Sequence, residues 1–290
     1  MLCNLCPRHC GATRTETEGT GYCRMPSIPV AARAALHHWE EPCLSGTNGA
    51  GTVFFSGCSL GCVFCQNDEI SHKNFGQPIS PNRLREIFLE LSQQGAHNID
   101  LVNPTHFSHV LTDVLSEPLP IPVVWNSGGY DNITTLKALE GKIDIYLPDL
   151  KYLSSSRAEK YSQAANYPEV AKAAIQEMFH QVGPIVLQNG LLKKGLIIRH
   201  LLLPGGLNEA KAVMDWISDT FPKGEVLFSL MSQYVPLGRA SEYPEINRSL
   251  RNSEIRAATD YMSALGLHGF TQDCDSANTD YVPNFDLSGL

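Results

Sequence analysis

The stretch Phe55-Ser-Gly-Cys58-Ser-Leu-Gly-Cys62-Val-Phe-Cys65-Gln-Asn67 leaves an apolar run that begins at Val53. Cysteines separated by three and then two residues can present three thiolates on one side of a tight loop, and Gly57 and Gly61 let that backbone curl. A [4Fe–4S] cluster ordinarily takes four cysteines. Three leave one iron open to a small molecule, which turns an electron carrier into a catalyst. A zinc ion at the same place would need a fourth ligand from elsewhere in the chain.

Outward from this loop, short apolar runs alternate with amphipathic stretches. The spacing predicts strands over 53–57, 99–103, 121–126, 143–150, 196–203 and 225–231. Runs that are nearly all apolar suit strands buried on both faces of a parallel sheet. Between them, Ser80-Pro81 opens a helix with Leu84, Ile87, Phe88 and Leu91 on one face and Gly95 at its end. Pro168 opens another, closed by Gly183-Pro184. Asn208 and Ser253 are candidate caps of two more, the last ending at Gly266. Six β-α units in a row predict an α/β domain over 52–290. They are two short of an eight-stranded barrel, so a partial (β/α)6 TIM-type barrel is expected. Residues 1–51 have another texture, rich in cysteine, glycine and proline and poor in periodicity, and read as an extension ordered by ligands more than by a core.

The 290 residues are 43% hydrophobic and 18% charged, a compact composition rather than a disordered one. Lys and Arg number 22 against 30 Asp and Glu, giving −8, a field that repels phosphate and argues against nucleic acid and anionic membrane surfaces as partners. Uncharged apolar stretches such as Pro118 to Trp125 are too short to span a bilayer. The start, Met-Leu-Cys-Asn-Leu-Cys, carries cysteines where a secretion signal would carry an apolar run. A cytoplasmic protein is expected, whose clustered thiols serve as metal or cluster ligands.

Cys-x3-Cys-x2-Cys with Phe64 before the last cysteine, after the first of six β-α units, resembles the radical S-adenosylmethionine superfamily. The resemblance implies the partial barrel and an open iron chelated by the amino and carboxylate groups of S-adenosylmethionine. It also implies reductive cleavage of the sulfonium to a 5′-deoxyadenosyl radical that removes hydrogen from a substrate. Within the superfamily the chain resembles the pyruvate formate-lyase-activating-enzyme-like (PflX-type) group. That likeness is carried by Leu36-His-His-Trp-Glu-Glu-Pro-Cys43, Leu101-Val-Asn-Pro-Thr-His106, Ile145-Tyr-Leu-Pro-Asp-Leu-Lys-Tyr152, Arg199-His-Leu-Leu-Leu-Pro204 and Ser232-Gln-Tyr234. It implies a flavodoxin- or ferredoxin-type reductant, and as substrate either a glycine of a partner protein or a small molecule or peptide in the barrel. A rival from another class is an electron-transfer iron–sulfur protein without chemistry of its own.

In a β/α barrel, function sits at the C-terminal ends of the strands. Five of the expected strands end or continue in polar residues: Asn103 to His106, Asn126 to Tyr130, Asp149 with Lys151, Arg199-His200, and Ser232-Gln233. The resemblance assigns Cys58, Cys62 and Cys65 to the catalytic cluster, with Phe64 beside the cofactor. Asn103 and Thr105 stand where many members carry Gly-Gly-Glu for the methionyl amino group. Asn126 and Asp149, with Ser127 and Lys151 beside them, resemble positions that bind a monovalent cation or the ribose and carboxylate. Arg199 matches a cofactor-facing arginine, or else pairs with Asp149 or Asp144.

Four thiols, Cys3, Cys6, Cys10 and Cys23, form a second group, read as one metal centre, either zinc or a second cluster. Zinc is favoured on the knuckle-like spacing, nothing nearby in the sequence requiring a relay. His106 and His109 form a possible metal pair. His37-His-Trp-Glu-Glu41 either lines the pocket or packs the extension on the barrel. Cys43 and Cys274 read as small buried hydrophobes or as functional thiols.

Overall fold

A computed structural model describes residues 2–272 and 283–290; Cys274 lies outside the described residues. The chain enters its sheet through β1 (Val30–His37), turns through the one-turn helix α1 (Pro42–Ser45), and returns antiparallel as β2 (Ala50–Phe55). The cysteine loop, α2 (Asp68–Ser71) and the short edge strand β3 (Gln77–Pro78) follow. The chain then alternates: α3 (Pro81–Gln93), β4 (Ile99–Val102), α4 (Ser108–Val114), β5 (Val123–Ser127), α5 (Ile133–Ala138), β6 (Ile145–Pro148). It continues through α6 (Ser155–Ser162), α7 (Tyr167–Val182), the hairpin β7 (Val186–Gln188) with β8 (Leu191–Leu201), α8 (Leu207–Thr220), β9 (Leu227–Met231), α9 (Asn252–Leu265) and β10 (Gly269–Thr271).

The sheet order is β10-β9-β8-β6-β5-β4-β2-β1-β3, and every pairing from β2 to β10 along it is parallel. The six expected β-α strands are β2, β4, β5, β6, β8 and β9, in chain order across the sheet, which is the partial barrel. All residues of β2, β5 and β6 are buried, as strands covered on both faces must be. In α3 the four apolar positions Leu84, Ile87, Phe88 and Leu91 are buried, each stabilising the fold by roughly 1.5–3 kcal/mol. Ser80 caps this helix, its Oγ accepting the Arg83 N–H at 3.2 Å, an interaction of about 1 kcal/mol.

Some expectations are corrected. Asn208 lies inside the first turn of α8, whose cap position is Gly206. Arg251 precedes α9 in place of Ser253, its N–H donating to Glu254 Oε2 at 2.9 Å. Nor do residues 1–51 rely on ligands alone for order. Val30, Ala31 and Ala34 of β1, with Met25, belong to the main core. The alanine-rich run from Val30 to Ala35 favours helix locally, and pairing along β2 overrides that preference.

Candidate active site

The loop after β2 is shaped by its glycines. Gly57 takes φ +79°, and a Cβ there would lie 2.3 Å from Met25 Cγ, so only glycine fits. Each of the three thiols that follow meets a hydrogen-bond donor. Cys58 Sγ accepts the amide N–H groups of Leu60 at 3.3 Å and Gly61 at 3.5 Å. Ser162 donates to Cys62 Sγ at 3.1 Å and Ser71 to Cys65 Sγ at 3.3 Å. Burial pushes the Cys65 thiol up to about 12, the neighbouring Cys58 adding to the effect. Burial also raises Cys62, against the pull of the Lys151 ammonium. Metal coordination would deprotonate these thiols, and the donors already aimed at the sulfurs favour the thiolate form.

The three cysteines open onto a pocket that the C-terminal ends of the strands complete. Phe64, Asn103, Asn126, Ser127, Asp149, Lys151 and Arg199 line it, and Leu201, Met231, Gln233, Tyr234, Val235 and Leu237 form its far wall. Phe64 is buried edge-to-face between Tyr161 and Tyr234, ring centroids 6.3 and 6.1 Å away. Asn103 takes φ +59° and donates through Nδ2 to the Gly57 carbonyl, tying β4 to the cysteine loop.

The charged part of the wall is a connected network. Arg199 Nε donates to Asp149 Oδ1 at 2.9 Å, its Nη2 to Asn126 Oδ1 at 2.5 Å and its Nη1 to Glu40 Oε2 at 3.2 Å. Lys151 Nζ donates to Asp149 Oδ2 at 2.5 Å. Burial alone would raise the Asp149 carboxyl, but Lys151 and Arg199 outweigh it and hold it below the ordinary range. Both of its oxygens therefore already face cations of the chain itself.

The comparisons with known proteins agree with this geometry. The family described as "4Fe-4S single cluster domain" matches residues 45–153, which include the loop. The uncharacterized protein MJ0674 of Methanocaldococcus jannaschii is 32% identical over 278 residues, covering 91% of this chain and 75% of that protein, so the two belong to one family. Among solved structures, SuiB of Streptococcus suis bound to S-adenosylmethionine superposes with TM-score 0.54 at 14% identity, over 76% of this chain and 49% of that one. A radical SAM methyltransferase of Sphaerobacter thermophilus gives 0.50 at 12% identity, over 77% of this chain and 66% of that one. Methylornithine synthase gives 0.50 at 15% identity, over 77% and 73% of the two chains. At these identities the likeness is one of fold, and the chain spans about half the length of SuiB. The three-cysteine loop stands in that fold. The chain belongs to the family of MJ0674 and has the fold of these S-adenosylmethionine enzymes.

A β/α barrel places its function at the strand ends, and most of the residues expected there do line the pocket. Thr105 does not. It sits in a 3-10 turn and donates to the buried Asp131 at 2.7 Å, a carboxylate also held by Ser127 at 2.6 Å and by Trp125 Nε1 at 3.3 Å. The Nε2 atoms of His106 and His109 bond separate carbonyls, Ser56 at 2.7 Å and Ser27 at 3.0 Å. Burial pushes His106 down to about 3. Cys43 is buried, and burial pushes its thiol up to about 12, which is the small-hydrophobe reading.

Glu40 and Glu41 lie behind the pocket and do not line it. Glu40 contacts Arg199, and Asp100, a buried acid of β4, accepts from Asn126 at 3.3 Å. Burial raises the carboxyls of both acids, and the charge of Glu40 adds to the rise of Asp100. The signal that could have exposed Asp100 is an acid within the apolar run Ile99–Val102. The four N-terminal thiols gather at one place, Cys3, Cys10 and Cys23 lying near enough to raise Cys6 by their charge. Among the described residues, no three His, Cys, Asp or Glu side chains converge on the position of a single metal ion. No helix among them is long and apolar enough to cross a membrane.

Proposed function

We propose that the pocket binds S-adenosylmethionine against a [4Fe–4S] cluster held by Cys58, Cys62 and Cys65, and that the protein uses it to remove a hydrogen atom from a substrate. The observation that carries this reading is the convergence of three thiols and the Asn126–Asp149–Lys151–Arg199 network on one pocket. When bound, cluster and S-adenosylmethionine supply reductive sulfonium cleavage and a 5′-deoxyadenosyl radical.

The chain's own residues bind and orient. Asn103, held at positive φ against Gly57, presents its amide beside the loop and takes the methionyl amino group, a role in which Thr105 has no part. Lys151 and Arg199 meet the carboxylate, while Asp149 and Asn126 hold those cations and face the ribose. Lys151 and Arg199 already balance the Asp149 charge, which a separate monovalent cation would otherwise do. The apolar wall of Leu201, Met231, Val235 and Leu237 excludes water from a reactive intermediate.

The substrate reading rests on the pyruvate formate-lyase-activating-enzyme-like resemblance. It is a glycine backbone on a partner protein, with a small molecule or peptide as the alternative and a flavodoxin- or ferredoxin-type donor as reductant. A cytoplasmic location fits that supply of electrons. Anaerobic reconstitution with iron and sulfide, followed by S-adenosylmethionine and dithionite, should release 5′-deoxyadenosine. A reduced, cluster-loaded protein that releases none would be an electron carrier.

A further inference from the structure

We propose that Cys3, Cys6, Cys10 and Cys23 hold a second iron–sulfur cluster, set against the catalytic loop as its electron relay. The site itself stands independently of the S-adenosylmethionine reading; the relay rests on it.

The first observation is the thiol group. A small hairpin, in which Cys3 N–H donates to Ala12 O at 2.9 Å and Gly11 N–H to Cys3 O at 3.1 Å, buries Cys3 and Cys6 and leaves Cys10 exposed. A Cβ on Gly21, two residues before Cys23, would lie 3.0 Å from Cys10 Sγ, so the distant cysteine is brought back to the first group.

The second observation is independent of the cysteines. Arg14 is only 6% exposed, yet among the described residues no carboxylate pairs with it. Its guanidinium meets the carbonyls of Met25, Pro26 and His106, and its Nη1 lies 3.8 Å from Cys3 Sγ. A buried cation with only neutral partners is costly unless an anion lies beside it. Four thiolates around an iron–sulfur core supply that anion.

The third observation decides between a cluster and zinc. In the sequence nothing nearby calls for a relay, which favours zinc; the fold puts the group against the catalytic loop. A Cβ at Gly57, the residue before Cys58, would lie 3.0 Å from the Cys23 carbonyl oxygen. Arg8 donates to the carbonyls of Ser59 at 2.8 Å and Leu60 at 3.1 Å, and Tyr22 Oη to Leu60 O at 3.2 Å. The two cysteine groups are therefore packed together without intervening chain. One electron passes from a ferredoxin- or flavodoxin-class donor at the exposed Cys10 edge to this cluster, and then to the catalytic one. No bond forms or breaks, and no proton moves.

The test starts from the triple variant Cys58→Ala, Cys62→Ala, Cys65→Ala, reconstituted anaerobically with iron and sulfide. It should retain about four irons per chain and an EPR signal on reduction, both lost when Cys6→Ala and Cys23→Ala are added. About one zinc and no iron would overturn the cluster, and no metal would overturn the site. Should the triple variant misfold, Mössbauer spectroscopy of the unaltered protein decides, about eight irons supporting the proposal and about four opposing it. For the relay, a Cys6→Ala, Cys23→Ala protein should form deoxyadenosine at least about tenfold more slowly with reduced flavodoxin while retaining its yield with dithionite. Equal rates with flavodoxin would refute the relay. A protein holding both clusters that forms no deoxyadenosine with either donor would refute the S-adenosylmethionine reading alone.

Discussion

Glu40 and Arg199 meet inside the barrel, Oε2 to Nη1 at 3.2 Å, across 159 residues of sequence. Glu40 comes from the connection after β1, so the pocket's arginine is braced from behind by the segment that precedes the barrel strands. The guanidinium thereby links Glu40 and Asn126 to Asp149 at the pocket wall.

Removing Arg199 should therefore act twice. Arg199→Ala takes away a charge-assisted contact to S-adenosylmethionine, weakening binding by roughly 1–3 kcal/mol. It also leaves Glu40 without its buried cation and Asp149 with Lys151 alone, destabilising the fold by about 3–5 kcal/mol. Calorimetry with S-adenosylmethionine and urea unfolding separate the two effects. Unchanged affinity in both Arg199→Ala and Asp149→Ala would move the cofactor off these strand ends.

Cys62→Ala should abolish deoxyadenosine formation with the far-ultraviolet circular dichroism intact, because the barrel core does not depend on the cluster. Ser162→Ala is the graded counterpart. It removes the hydroxyl that donates to Cys62 Sγ at 3.1 Å, and should lower the potential of the catalytic cluster, since hydrogen bonds to ligating sulfur favour the reduced state. An EPR-monitored redox titration checks this, and an unshifted potential would place the hydroxyl away from the bound sulfur.

Gly129 has φ +72°, and a Cβ there would lie 2.3 Å from the Asp149 carbonyl oxygen. Gly129→Ala should push the end of β6 away from the pocket, costing about 1–3 kcal/mol of stability and reducing affinity for S-adenosylmethionine. Calorimetry and thermal unfolding of the variant measure both; wild-type affinity would show that the backbone here gives without disturbing Asp149.

Asp100 supplies a pH dependence. Burial, with Glu40 beside it, raises its carboxyl well above the ordinary 3.8. Between that pH and its folded value, the folded chain holds a proton that the unfolded chain has released. Its contribution to stability is therefore complete at low pH and is lost as pH rises. Asp100→Asn cannot ionise and should flatten the decline of Tm with rising pH, partly, because Glu40 is shifted in the same sense. Calorimetric scans from about pH 5 to about pH 9 test this. Parallel curves for variant and parent would mean that Asp100 is ionised in the folded chain.

The cysteine loop was legible because its ligands are local: three thiols within eight residues must lie close together whatever the rest of the chain does. The strand-end residues Asn126, Asp149 and Arg199 were legible for a related reason, as polar groups inside or just beyond apolar runs that a parallel sheet places in register. Thr105 failed that logic. A 3-10 turn after β4 swings it toward Asp131, and nothing in the spacing from Asn103 announces the turn.

The sequence by itself determined the alternation of strand and helix, and hence the parallel sheet of a partial barrel, because burial on both faces demands apolar runs of strand length. It also determined the donor set of the loop. Only the tertiary structure decided that Glu40 braces Arg199, that the alanine-rich β1 is a strand, and that four N-terminal thiols lie beside Gly57. These are long-range contacts. Their energies come from partners far away in the chain, which leave no periodicity in the residues that make them.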